Sequence, residues 1–132
     1  MRVVLDTNVV VSAFLVPLGK PAAILRLALR HDFDTCFDTA ILAEYEEVLT
    51  RSKFVGRIYQ ADIQRFFEIM CDIGENIIST LSFVSMPDET DRKFYDVART
   101  ANAYLITGNK KHYPDEPFVV TPDQFLSNIM RQ

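Results

Sequence analysis

The sequence predicts a single α/β domain built on a mainly parallel sheet, and three observations carry that prediction. Val3, Val4 and Leu5 lead straight into Asp6, Thr7 and Asn8, so a short apolar, β-branched run ends in a polar triplet, as in a strand buried on both faces. Further short apolar runs alternate along the chain with stretches of helical periodicity, the order that gives a parallel sheet with helices on both sides. The chain has 132 residues, enough for one core but not comfortably for two. It contains no repeat, linker or low-complexity tract, so residues 1–132 read as one domain.

Residues 2–6 are the first predicted strand, and the apolar run that resumes at Val9 receives no element of its own. Pro17, Leu18 and Gly19 break the chain before a helix over 21–30, which carries Pro21 in its first turn. Residues 35–37 are a short strand. Asp38 or Thr39 then caps a helix through 41–51. A further helix covers about 60–73 and stops at Gly74. The mostly apolar stretch 77–84 reads as a strand, and the loop 85–91 leads into a helix over about 91–101, with Asp88 as a candidate cap. Residues 104–107 form a strand ending at Gly108 and Asn109, and residues 118–120 form another. Thr121 and Gln124 have the spacing of a capping box that opens a final helix.

Composition narrows the function classes. Hydrophobic residues make up 48% of the chain and charged residues 24%, an ordinary globular balance. No run approaches the roughly 18–20 apolar residues of a membrane span, and Arg2 is followed by too few apolar residues for a signal peptide. Cys36 and Cys71 lack the clustering of a zinc site and read as small buried hydrophobes in a reduced, cytoplasmic setting. A net charge of −4 argues against a generic nucleic-acid coat. Small basic clusters nevertheless stand at Arg51/Lys53/Arg57, Arg92/Lys93 and Lys110/Lys111/His112.

Four residues are candidates for chemistry. Asp6 follows the first strand at its carboxyl end, where ligands sit in open α/β sheets. Glu44 lies at the edge of the stripe made by Ile41, Tyr45, Val48 and Leu49, but Glu46 flanks the other side equally, and periodicity does not choose between them. Asp91 stands three residues before Phe94, in line with the inward stripe of Phe94, Ala98 and Ala101, whereas Asp96 falls on the opposite face and is expected in solvent. Asn109, beyond the flexible Gly108, can offer a carbonyl oxygen or hold a water. An α/β sheet could bring these groups to one edge. Crowded carboxylates raise one another's pKa, a divalent cation removes that penalty, and oxygen-only donors favour Mg²⁺ or Mn²⁺. Such ions serve phosphodiester hydrolysis.

The segments VVLDTNVVVSAF, LAEYEEVL and DRKFYDVARTANAYLITGNKKHYP resemble, in that order, the PIN-domain family, and most of all its bacterial and archaeal branch of toxins from toxin–antitoxin pairs. The resemblance implies a Rossmann-like three-layer α/β/α fold and a metal-dependent ribonuclease. It implies that Asp6, Glu44 and Asp91 bind the metal, which selects Glu44 over Glu46. Thr7, Asn8 and Thr107 would support the ligands or hold water. The family's fourth acid falls at Asn109, a departure from a four-carboxylate site. Lys110, Lys111 and His112 would contact RNA phosphates. No histidine is expected to act as a general base. An RNA substrate, a protein antitoxin docked between the helices around 21–30 and 41–73, and a homodimer complete the expectation.

Competing readings are a catalytically weak or inactive module of the same fold that binds RNA or protein, a phosphoacceptor receiver domain, and a dinucleotide-binding domain. The receiver reading fails because Ser85, Met86 and Pro87 stand where an acceptor acid is required. The dinucleotide reading fails because no GxGxxG follows the first strand.

Overall fold

A computed structural model describes residues 1–130. Five parallel strands form the sheet: β1 (Arg2–Leu5), β2 (Asp34–Phe37), β3 (Glu75–Asn76), β4 (Tyr104–Ile106) and β5 (Val119–Val120), in the order β3-β2-β1-β4-β5. The connections are helical: α1 (Thr7–Leu15) and α2 (Lys20–Leu29) precede β2, and α3 (Thr39–Leu49) and α4 (Gln60–Ile73) precede β3. A 3₁₀ turn, Glu89–Asp91, leads into α5 (Arg92–Ala101) before β4, and α6 (Pro122–Gln124) follows β5. Travel across the sheet reverses after β3, and right-handed crossovers then put α5 on the face opposite α1–α4. The three-layer α/β/α fold expected from the sequence is present.

Val3, Val4 and Leu5 are buried because β1 is the central strand, covered on both faces. The register Leu5↔Ile106 between β1 and β4 sets Asp6 beside Thr107, and the Asp6 amide donates to the Ile106 carbonyl at 3.0 Å. This is where the strand order switches, the crevice that open α/β sheets use for ligands.

Local signals explain most boundaries. Asp38 accepts from the Ile41 amide at 2.8 Å as cap of α3, and Thr121 and Gln124 make the capping box. Helix α4 stops at Gly74, a position that only glycine fits because a Cβ there would lie 2.3 Å from the Phe37 ring. Asn102 ends α5 with φ 53°. Phe66 of α4 is 1% exposed and packs edge-on against Phe14 of α1 and Tyr45 of α3, with centroids 5.7 and 5.9 Å away.

Four expectations need correction. Residues 7–15, given no element, form α1: the polar triplet opens the helix, and only its tertiary burial outweighs the β-branched valines. Residues 77–84 form no strand. Only Glu75–Asn76 pairs with β2, and Ile78 and Phe83 are 94% and 95% exposed. The segment is held as a strap across α5: the Thr80 amide donates to Thr100 Oγ1 and the Ser82 amide to Asp96 Oδ1, at 2.9 and 3.3 Å. Arg92 donates to the Ser82 and Val84 carbonyls at 3.0 and 2.6 Å. Asp96 is therefore buried rather than solvated, because the strap covers its face of α5. Finally, Cys71 is exposed, while Cys36 is buried as expected. Among the described residues no single helix is long and apolar enough to cross a membrane.

Candidate metal centre

Asp6 is held by two groups far along the chain. Its Oδ2 accepts from Thr107 Oγ1 and from the Tyr113 hydroxyl, each at 2.8 Å. Tyr113 is a site residue that sequence reasoning missed. Its ring is buried, yet it follows a short loop with no periodicity to mark it. The Leu5 carbonyl, one residue before Asp6, accepts from the buried Tyr45 hydroxyl. Helix α3 thus grips the end of β1 with Tyr45 and presents Glu44 from the preceding position.

Glu44 accepts from Thr7 Oγ1 on one oxygen and pairs with Lys93 Nζ at 2.7 Å on the other. Both partners distinguish it from Glu46, for which no side-chain partner occurs among the described hydrogen bonds and ion pairs. Asp91 ends the 3₁₀ turn before α5, and its Oδ2 lies 3.5 Å from His112 Nδ1. Asn8 accepts from the Gly108 amide at 3.0 Å, tying α1 to the loop after β4. The Asn109 amide donates to Thr107 Oγ1 at 3.1 Å, and its side chain lies 2.9 Å from His112 Nε2. His112 therefore sits between Asp91 and Asn109, beside the candidate ligands. Lys110 reaches Gln124 at 3.5 Å.

Electrostatics at this edge are strained in one direction. Burial, with a smaller contribution from the charge of Glu44, raises the pKa of Asp6 above the ordinary carboxylate value. Burial first, and then the charge of Asp6, pushes Asp91 up to about 6. Burial and the Asp6 charge likewise hold the Tyr113 hydroxyl protonated. Among the described residues no three His, Cys, Asp or Glu side chains already converge on one ion position, since Glu44 is turned to Thr7 and Lys93. The donor set itself fits a hard divalent cation: carboxylate and amide oxygens only, two of the carboxylates destabilised as anions. An ionised carboxylate has about four acceptor positions, so Glu44 retains capacity to ligate.

Residues 2–111 match the family model described as PIN domain. The chain belongs to the PIN-domain family. PIN domains are in general nucleases that use divalent metal ions. An uncharacterized protein of Methanocaldococcus jannaschii is 32% identical over 113 residues, covering 83% of this chain and 72% of that protein. Among solved structures, VapBC2 from Rickettsia felis, bound to a DNA fragment from its promoter, superposes with a TM-score of 0.58. It is 19% identical, covering 92% of this chain and 97% of that chain, and the likeness is one of fold.

The raised carboxylates of this PIN domain have a thermodynamic signature. A folded-state pKa of about 6 for Asp91, against 3.8 ordinarily, means that the folded protein binds the proton more tightly. The associated stability is present below pH 3.8 and lost as pH rises through 6. Asp6 acts with the same sign. Asp88, Glu89 and Asp123 have lowered values, so they act oppositely and only below about pH 4.5. The metal-free protein is therefore expected to melt at lower temperature at pH 7 than at pH 5. Saturating Mn²⁺ should raise the melting temperature more at pH 7 than at pH 5. Scanning fluorimetry with and without chelator checks both signs, and Asp91→Asn should flatten the pH dependence.

Proposed function

We propose that this PIN domain is a Mg²⁺- or Mn²⁺-dependent endoribonuclease, acting as the toxin of a toxin–antitoxin pair. The observation that carries the reading is the gathering of Asp6 and Asp91 at the switch point of the sheet, where burial raises Asp6 and where burial and the charge of Asp6 raise Asp91, with Glu44 one short side chain away through Thr7. Carboxylates perturbed in this way at a sheet's switch point mark a site that a ligand uses. A bound divalent cation would neutralise phosphate charge and acidify a water for in-line attack on phosphorus. Asp6, Glu44 and Asp91 would hold it. Thr107 and Tyr113 fix the plane of the Asp6 carboxylate, and Thr7 orients Glu44. His112, between Asp91 and Asn109, is the group able to carry a proton toward the departing oxygen. Lys111, exposed beside it, would meet a phosphate of the RNA.

An antitoxin partner is supported by the fold likeness to a toxin–antitoxin complex and by Val16 and Leu18, 54% and 98% exposed between α1 and α2. A homodimer belongs to the same proposal. The test is incubation of the purified protein with a mixed pool of structured and single-stranded RNA in Mg²⁺ or Mn²⁺, with a chelator control. Metal-dependent fragments are expected. A folded protein that leaves the RNA intact and takes up no ion in calorimetry would overturn the nuclease. The binding module favoured by Asn109 in place of the fourth acid would then take its place.

A further inference from the structure

We infer that Lys93 stands in for a second cation, so that this site takes one divalent ion and not two. The inference rests on the metal-dependent reading above and adds a stoichiometry to it. Three carboxylates contribute three negative charges at this edge, and Asn109, hydrogen-bonded to Thr107 and beside His112, contributes none. Lys93 Nζ lies 2.7 Å from Glu44 Oε1, with both side chains mostly shielded from solvent at 21% and 28% exposure. The ammonium is also held by the Thr90 carbonyl and lies 5.1 Å from the centre of the Phe94 ring. It is thus fixed in place rather than sampling solvent, on the first turn of the helix that Asp91 precedes.

The charge of Glu44 is matched by Lys93. Asp6 and Asp91 remain, and no lysine or arginine pairs with either among the described ion pairs. Two uncompensated negative charges call for one divalent ion. A second would enter a site already neutral and would meet the ammonium at Glu44. Lys93 is accordingly a positioning residue: it sets the number and affinity of ions through Glu44 and touches no substrate.

Mn²⁺ binding to the intact protein, followed by calorimetry and by the electron paramagnetic resonance of the ion, tests this without reference to catalysis. The wild-type protein is expected to bind one Mn²⁺. Lys93→Gln should bind the first ion about tenfold more tightly, since a like charge a few Å away is removed, and should admit a second. Lys93→Arg should behave as wild type. Two ions in the wild-type protein, or Lys93→Gln with unchanged or weakened binding, would overturn the role of Lys93 while leaving the metal site standing. No ion in the wild-type protein would overturn the metal-dependent reading itself, and this inference with it.

Discussion

Asp6→Asn is expected to lower RNA cleavage by on the order of 10³-fold and, without metal at pH 7, to raise the melting temperature rather than lower it. Both effects come from one group. Asp6 is 5% exposed, and its ionised form is disfavoured by burial and by the charge of Glu44. An amide of the same shape keeps a carbonyl oxygen for Thr107 and Tyr113, the two hydroxyls that now converge on Oδ2. What it loses is the charge, which costs the metal-free fold and serves only the occupied site. Stability and activity are therefore set against one another here. A variant that melts lower than wild type would show that the Asp6 charge supports the fold. One that cleaves at the wild-type rate would remove Asp6 from the chemistry.

Phe66→Ala should be the most damaging core substitution tested, at about 3–5 kcal/mol, or a fall in melting temperature on the order of 10 °C. The ring is 1% exposed and meets Phe14 of α1, Tyr45 of α3 and Phe67 of its own helix edge-on. Edge-on aromatic pairs add to the area they bury, and removal leaves a cavity among three helices that cannot all close on it. Tyr45 is the neighbour whose hydroxyl grips the Leu5 carbonyl, so the surviving folded fraction should also bind Mn²⁺ more weakly. Urea denaturation gives the stability change, and half-buried Phe67 is the comparison. A larger loss from Phe67→Ala than from Phe66→Ala would show that the three-helix contact is not the keystone.

The site was legible in the sequence where chemistry is tied to a strand end or a helix start. Asp6, Thr107 and Asn109 follow strands, Asp91 precedes a helix, and the structure brings all four to one edge of the sheet. Glu44 was legible only in part. Periodicity left it level with Glu46, and the distinction lies in Thr7 and Lys93, contacts across 37 and 49 positions of chain. Tyr113 and the place of His112 were not legible, because a loop without periodicity gives no direction to its side chains. Asp96 shows the limit most plainly: helical spacing set it correctly on the face opposite Phe94, but that face is covered by a strap whose own apolar residues point outward. Hydrophobic patterning reports burial, and residues 77–84 are apolar without being buried throughout.

The partners of Asp6 lie 101 and 107 positions further along the chain. A polypeptide still emerging from the ribosome carries Asp6 long before Thr107 and Tyr113, and it cannot clamp that carboxylate until both have been made. A chain cut short before β4 has neither hydroxyl and lacks one of the two strands that pair with β1. The carboxyl end of β1 is therefore complete only after β4 and the loop that follows it have been made.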